Sequence, residues 1–340
     1  MKKNTLLGTL SSYFTEYLPV TKGLSNNSIR SYKYSFQLLF TFLKEIQDCH
    51  PEIVTFYTLE KETIEQFLQW LEKDRSCSIS TRNQRLSGLS SFAKYAVRKE
   101  PVEAAGFYNA ISATPKKKCV ENYPVYFTRE EISIILHLPV GNGRIARRDR
   151  VLLSVLYASG ARAQELCDIK MRDIRFGEKT SIKLIGKGNR ARTITIPNNC
   201  AALLKKYLDT ENKTEASENY LFSSQMHEHM TISCVEEIVK KYIAKARTEH
   251  PPLFKEKKYT PHSFRHSIAV HMLEIDIPLP VIKNFLGHVS LETTLIYATV
   301  SDELKNKYLR ENSIVSAMVS SEDTAPQRYE NMGLDFLKKI

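Results

Sequence analysis

The chain has 340 residues, 42% of them hydrophobic, and its 49 lysines and arginines exceed its 38 aspartates and glutamates by a formal net charge of +11. This length favours two domains, each able to bury its own core, and the basic excess favours a polyanionic partner. A continuous apolar stretch of about 18 residues, which a membrane span needs, is missing, and no signal peptide follows Met1, so we expect a cytoplasmic protein without a membrane partner.

Residues 5–113 place apolar side chains three and four positions apart, which is the spacing of amphipathic helices. Four helices are predicted, and together they form a small bundle. The turn at residues 22–24 precedes Ser25, whose hydroxyl can accept a hydrogen bond from the first turn of the second helix and so cap it. Residues 1–113 are therefore expected to be a helical N-terminal domain.

Polar and basic side chains on the second and fourth predicted helices suit contacts with phosphates and base edges. The candidate DNA contacts are Arg30, Ser31, Lys33, Arg82, Asn83, Arg85 and Lys94. An ordinary solvated helix face is the alternative interpretation of the same residues.

Residues 114–126 combine two prolines with a run of three lysines and show no apolar period, as is typical of a linker. Thr128 followed by Glu131 then predicts a capping box at the start of a helix. Residues 151–166 form a strongly apolar helical pattern, in which Gly160 can break or bend the helix and leave Arg162 on a turn.

Two β-branched runs, residues 181–185 and 192–197, surround a glycine-containing turn and predict a β-hairpin. Helical patterns resume at residue 201 and continue to about residue 319. The expected fold is mainly α with a small β-sheet, with a second domain at 127–319. Residues 320–340 read as a tail whose apolar end docks either onto another subunit or back onto its own domain.

Cleavage of a phosphodiester without a metal needs cationic side chains, a nucleophile and a proton donor. Beyond Arg162, the chain offers His262 and Arg265, three positions apart on a helix that Pro261 begins. His288 follows, nine residues before Tyr297. The six cysteines form no C-x-x-C pair, so neither a metal site nor a cofactor is expected.

In this order, the motifs resemble those of the tyrosine recombinase (phage integrase) family. A-S-G-A-R-A-Q-E-L is similar to the first arginine box of that family, and G-K-G-N-R-A-R to its hairpin lysine. T-P-H-S-F-R-H-S resembles its H-x-x-R box, and L-G-H-V-S-L-E-T-T-L-I-Y its final histidine and tyrosine box. More loosely, G-L-S-N-N-S-I-R-S-Y and S-T-R-N-Q-R-L-S-G-L-S-S-F resemble its helical, SAM-like core-binding domain. The resemblance implies an α+β recombinase catalytic domain at 127–319.

The resemblance also implies six catalytic residues. They are Arg162, Lys187, His262, Arg265, His288 and Tyr297. Tyr297 is expected to attack the scissile phosphate, forming a 3′-phosphotyrosyl link and releasing a 5′-hydroxyl. Arg162 and Arg265 would hold the phosphate, because a guanidinium is a planar, permanently charged fork.

The other roles follow from the same resemblance. Lys187 would protonate the departing 5′ oxygen, although Lys183, Arg190 and Arg192 compete for this role. His262 would be an acid/base partner and His288 would hydrogen-bond the phosphoryl group. Glu165 is expected to brace Arg162. The remaining histidines of the H-x-x-R helix, His266 and His271, are interpreted as packing or supporting groups.

The implied partners are double-stranded DNA recombination sites and further copies of the chain, two on each site and four in synapsis, with strands exchanged through a Holliday junction. One small domain ahead of the catalytic one resembles the layout of Xer-type and simple transposon recombinases. Integration or excision of a mobile element is the expected role. The alternatives are Xer-type resolution of chromosome or plasmid dimers, a type IB topoisomerase-like enzyme, and a non-catalytic DNA-binding accessory protein.

Overall fold

The protein was studied as a computed structural model, which describes residues 5–119, 123–186, 188–212, 217–224, 226–288 and 290–297. The chain divides into two compact units, Met1–Asn122 and Tyr123–Ile340. Both are mainly helical, and the second contains a small antiparallel sheet, so the predicted fold class is confirmed. Lys187 and the predicted tail at 320–340 lie outside the described residues. Within those ranges, no helix combines the length and the apolar composition that crossing a membrane requires.

The described part of the first unit contains five α-helices. They are α1 (Thr5–Ser12), α2 (Asn26–Gln47), α3 (Lys61–Lys73), α4 (Ile79–Lys99) and α5 (Ala105–Ala113). A π-helical stretch, Tyr13–Thr21, continues α1. The sequence predicted four helices, and α5 is the additional one, because nine residues are too few to show a clear apolar period. The Ser25 cap of α2 is confirmed, since its hydroxyl accepts a hydrogen bond from the N–H of Ser28.

Aromatic rings form the centre of this unit. Phe92 packs edge-on against Tyr13 and Phe36, with ring centroids 5.2 and 5.1 Å apart. Phe56 and Phe107 lie on its other sides, and all five rings are buried. Edge-to-face aromatic contacts add to the free energy gained by burying so much apolar area. The bundle is therefore held by its own core.

The second unit begins with a confirmed capping box, in which Thr128 and Glu131 each accept a hydrogen bond from the backbone N–H of the other. Its helices are α6 (Arg129–His137), α7 (Arg144–Ser159), α8 (Ala163–Cys167), α9 (Asn198–Thr210), α10 (Ile232–Glu249), α11 (Pro261–Leu273) and α12 (Leu279–Leu286). Residues 292–297 are also helical. Helix α11 begins at Pro261, as predicted.

The sheet consists of β1 (Ile174–Arg175), β2 (Ser181–Gly186) and β3 (Arg190–Thr195), paired in that order and antiparallel. The predicted hairpin is confirmed, with Gly186 opposite Arg190 next to the turn. Ile182 and Leu184 are buried while the intervening side chain is exposed, as alternation along a strand requires. Strand β1 was not predicted, because two residues cannot show an alternating pattern.

The apolar pattern at 151–166 is not one helix. Helix α7 ends at Ser159, and Gly160 takes the left-handed conformation with φ of 56°. A β-carbon at Gly160 would lie only 3.0 Å from the Phe285 ring, so a larger residue would be strained by both its backbone and its neighbours. The expected break is confirmed, and it places Arg162 at the N-cap of α8.

Candidate active site

A buried carboxylate, Glu165, joins two arginines from different elements. Its oxygens accept hydrogen bonds from the Arg162 backbone N–H at 2.9 Å and the Arg162 guanidinium at 2.7 Å. Arg192, on β3, donates to both oxygens at 3.0 and 2.7 Å. Burial by itself raises the pKa of Glu165, but the hydrogen bonds from Arg192 and Arg162 outweigh it and lower the pKa to about 2. Glu165 therefore stays ionised and holds Arg162 in place.

Arg265 lies at the centre of the cluster and is only 2% exposed. Its guanidinium donates to the carbonyl oxygens of Gly160 at 2.7 Å and Leu286 at 2.6 Å. Among the described residues, no carboxylate lies within ion-pair distance of it. Burial and the positive charge of Arg162 lower the pKa of Arg265 to about 9. The site thus holds a buried positive charge that a bound anion would compensate.

Two histidines share the face of α11 next to Arg265, because they are four positions apart. The ring centroids of His262 and His266 are 6.0 Å apart. His262 is exposed, and His266 is half-buried. Loss of solvent around each ring, together with Arg265, lowers the pKa of both, that of His266 to about 4. Both imidazoles are therefore neutral at pH 7.

Tyr297 is the last described residue of the helical segment 292–297 and is only 1% exposed. Its hydroxyl lies 2.9 Å from His266 Nδ1. Burial raises the pKa of Tyr297 to about 12, although Arg265 and Arg162 act in the opposite direction. The two arginines are therefore close enough to favour a phenolate as it forms, but the resting residue is a neutral phenol.

His288 follows α12 and lies nearly parallel to the Tyr297 ring, with centroids 6.4 Å apart. Its Nδ1 atom is 2.9 Å from the Thr294 hydroxyl, which fixes the ring orientation. Burial and the charge of Arg265 lower the pKa of His288 to about 4. Its other nitrogen can serve a substrate as a neutral hydrogen-bonding group.

The β2–β3 hairpin approaches the same cluster. A β-carbon at Gly186 would lie 2.9 Å from Glu165 Oε1 and 3.7 Å from the Arg162 guanidinium. Gly186 immediately precedes Lys187 in the sequence. Of the competitors for the lysine role, Lys183 and Arg190 are exposed, whereas Arg192 is committed to Glu165 and to the Phe285 carbonyl at 3.1 Å. Arg192 therefore supports the site from within the protein.

The tertiary structure groups five of the predicted residues, because three of them lie close enough to the two arginines to feel their charges. They are Arg162, His262, Arg265, His288 and Tyr297. Two further residues, His266 and Arg192, make direct contacts in the cluster that sequence reasoning did not assign to them. The i, i+4 spacing of His262 and His266 was the available signal. Among the described side chains, no histidine, cysteine, aspartate and glutamate group is arranged to hold a metal ion.

The candidate DNA contacts of the first unit are not equivalent. Arg30 and Lys33 on α2 and Lys94 on α4 are exposed. The Arg85 guanidinium lies over the Tyr34 ring and donates to the Ser31 carbonyl oxygen.

Arg82 differs from the expected exposed contact, because it is 6% exposed and donates to Asn83 and to the Pro115 carbonyl oxygen. Asn83 donates in turn to the Lys117 carbonyl oxygen. Arg82 and Asn83 thus hold residues 115–117 against α4.

Two family models match the chain. The model described as "Phage integrase family" covers residues 126–303, and "Phage integrase, N-terminal SAM-like domain" covers residues 12–100. A putative integrase/recombinase, y4rC of Sinorhizobium fredii, is 28% identical over 319 residues, which are 94% of this chain and 95% of the relative. Tyrosine recombinase XerC of Natranaerobius thermophilus is 30% identical over 308 residues, 87% of this chain and 96% of the relative.

Solved structures show the same fold. The XerH site-specific recombinase bound to a palindromic difH substrate, in a post-cleavage complex, aligns with a TM-score of 0.65. The alignment covers 87% of this chain and 85% of that one, at 20% identity. Over most of its length, the chain thus has the architecture of that enzyme.

Proposed function

The chain belongs to the phage integrase family and is a tyrosine-type site-specific recombinase, and we propose that Tyr297 is the nucleophile with which it cleaves DNA. The observation that carries this assignment is the position of the Tyr297 hydroxyl. It is buried near Arg265 and Arg162, whose positive charges oppose the rise in its pKa that burial causes. A phenolate-forming oxygen next to fixed positive charges is suited to attack on a phosphodiester.

In this proposal Arg162 and Arg265 bind the non-bridging oxygens of the scissile phosphate. Glu165 holds one edge of Arg162, and carbonyl oxygens hold part of Arg265. The remaining N–H groups of both forks are the donors for the phosphate. An anion placed there compensates the charge of Arg265, so substrate binding removes a cost that the free protein bears.

The remaining roles complete the reaction. Lys187 protonates the leaving 5′ oxygen, supported by the close approach of Gly186 to Arg162 and Glu165. His262 is an acid/base group at the phosphate, and His288 hydrogen-bonds a phosphoryl oxygen. The products are a 3′-phosphotyrosyl link and a free 5′-hydroxyl. Because this link conserves the energy of the phosphodiester, rejoining needs no ATP.

We further propose that residues 1–113 and 127–319, joined by the linker at 114–126, both bind double-stranded DNA. The XerH structure is itself a complex with its DNA substrate, which supports this assignment. Two copies are expected on each site and four in synapsis, with strands exchanged through a Holliday junction. The tail at 320–340 is expected to dock onto a neighbouring copy.

For the biological role, we favour integration or excision of a mobile element. The A-R-A-Q-E sequence of the first arginine box and the extended tail depart from the housekeeping pattern. Xer-type dimer resolution is the second candidate, favoured by the 30% identity to a XerC protein. Deleting the gene separates the two roles. Loss of the junction that joins the two ends of the mobile element in its excised, circular form supports the first role. Accumulation of chromosome or plasmid dimers supports the second.

A covalent trap tests the nucleophile. Randomly nicked DNA fragments from the source organism are incubated with the protein, because a nick near the cleaved phosphate releases a short strand and blocks rejoining. We expect a covalent complex with the tyrosyl phosphate at Tyr297, and sequencing of the trapped DNA then defines the site. Tyr297→Phe should lose the complex, whereas Tyr157→Phe, which changes another hydrogen-bonded tyrosine, should keep it. A complex retained by Tyr297→Phe would refute the assignment.

A further inference from the structure

Helix α11 carries two histidines that each meet a tyrosine hydroxyl at the same distance. His266 Nδ1 lies 2.9 Å from the Tyr297 hydroxyl, and His271 Nδ1 lies 2.9 Å from the Tyr157 hydroxyl. The second pair joins α11 to α7 and contains none of the proposed catalytic residues. The first pair contains the proposed nucleophile, so the same contact has a different chemical consequence.

The direction of the first hydrogen bond follows from burial. A buried phenol needs an acceptor for its single proton. In the part of the chain that the structure describes, His266 Nδ1 is the hydrogen-bond partner of the Tyr297 hydroxyl. Tyr297 therefore donates, and His266 accepts through the lone pair of Nδ1 and carries its own proton on Nε2.

The charged surroundings keep His266 ready to accept a proton. The titratable or charged groups that face the pair are Arg265 and His262 on α11, His288 after α12 and Arg162 before α8. Burial, His262 and Arg265 lower the pKa of His266 to about 4, so its imidazole is neutral in the free protein. A phosphodiester bound between the arginines adds a negative charge, which raises the basicity of His266 towards the working range.

We propose that His266 is a catalytic residue that takes the phenol proton of Tyr297 through Nδ1 as the tyrosine attacks the scissile phosphate. The inference rests on the proposed function of Tyr297. The Tyr297 Oη–phosphorus bond forms, the bond from phosphorus to the 5′ oxygen breaks, and Lys187 supplies the proton to that leaving oxygen. On rejoining, the 5′-hydroxyl returns its proton to Lys187, and His266 returns the other to Tyr297. His262 is then left to act at the phosphate.

Single-turnover cleavage of a nicked duplex carrying the trapped sequence tests the proton transfer. His266→Asn keeps a hydrogen-bonding group near the Nδ1 position but cannot take a proton. At pH 7 we expect its cleavage rate to fall by about 10²- to 10⁴-fold, the usual contribution of general acid–base catalysis. Its rate should then rise about tenfold per pH unit, because cleavage depends on spontaneous ionisation of the phenol, whereas the wild-type rate should be nearly flat around neutral pH.

Two controls separate this role from a structural one. His271→Asn removes the matched histidine–tyrosine contact on the same helix and should leave both the rate and its pH profile close to wild type. A duplex with sulfur in place of the bridging 5′ oxygen releases a thiolate, which needs no protonation. This substrate should rescue Lys187→Ala but not His266→Asn, because the two residues handle different protons.

The outcomes are distinguishable. If wild-type protein forms no covalent link at Tyr297, the proposed function itself fails. If the link forms and His266→Asn cleaves as fast as wild type, or is rescued by the sulfur substrate, the inference on His266 is overturned. Should His266→Asn not fold, ¹⁵N NMR of wild-type histidines decides: a proton on Nε2 of His266 supports the assignment, and a proton on Nδ1 overturns it.

Discussion

The two units of this recombinase each bury an arginine, but they compensate its charge differently. Arg82, in the N-terminal unit, lies 3.6 Å from the Glu72 carboxylate and also donates to the Pro115 carbonyl oxygen. Arg265, in the catalytic unit, donates to two carbonyl oxygens. No carboxylate within the described ranges pairs with it.

From this difference we predict a structural role for Arg82 and a functional one for Arg265. A buried arginine with a carboxylate partner is already compensated and holds neighbouring segments together. A buried arginine with only neutral acceptors costs stability in the free protein, and this cost is recovered when an anion binds. The lowered pKa of Arg265, which is caused by burial and the charge of Arg162, reflects that state.

The largest expected effect comes from exchanging these arginines for alanine. Arg265→Ala should reduce single-turnover cleavage by roughly 10³-fold, because it removes a fixed donor for the charge that develops on the phosphate. Arg82→Ala should lower the free energy of unfolding and leave the cleavage rate at saturating DNA near wild type. Equal losses of cleavage in the two variants would contradict the distinction.

The next effect concerns Glu165, the carboxylate that two arginines share. The pKa of Glu165 in the folded protein is about 2, below its ordinary value of 4.5. Its ionised form therefore stabilises the fold fully above pH 4.5, and this stabilisation is lost as the pH falls towards 2. Urea unfolding should show that wild type loses roughly 3 kcal/mol relative to Glu165→Gln between pH 5 and 2. Glu218→Gln, at an exposed ion pair, is the control and should show a much smaller dependence.

Alanine substitution of one glycine in each unit is expected to have opposite effects. Gly186→Ala should slow cleavage by about 10-fold or more, because its β-carbon would lie 2.9 Å from Glu165 and shift the hairpin away from Arg162. Gly8→Ala, in α1, meets no described atom within 4 Å and should stabilise the protein by up to about 1 kcal/mol. A harmless Gly186→Ala would show that the hairpin position is not critical.

The smallest effect is expected on the exposed face of the N-terminal unit. Lys33→Ala should weaken DNA binding by a few-fold without changing the cleavage rate at saturation. The slope of the logarithm of affinity against that of salt concentration should become shallower by about 1, as loss of one phosphate contact predicts. Lys44→Ala, on the same helix α2, is the matched control. An unchanged slope for Lys33→Ala would favour an ordinary solvated surface.

Much of this architecture was predictable because it depends on local order. Helix periods, the Ser25 cap, the Thr128 capping box and the alternating hairpin involve residues a few positions apart. Short elements such as α5 and β1 were missed, since few residues carry too little pattern. The burial of Arg82 was not predicted because its partner Glu72 lies in a different helix, and the helical period says nothing about that contact.

For the active site, the sequence determined which residue types occur and in what order, and through the family resemblance this was enough to predict metal-free phosphoryl transfer with Tyr297 as the nucleophile. Only the tertiary structure decided that Arg265 is buried against two carbonyl oxygens, that Arg192 shares Glu165 with Arg162, and that His266 meets the Tyr297 hydroxyl. These properties are distances and burial between residues up to about a hundred positions apart, and such relations exist only once the helices and the hairpin have packed.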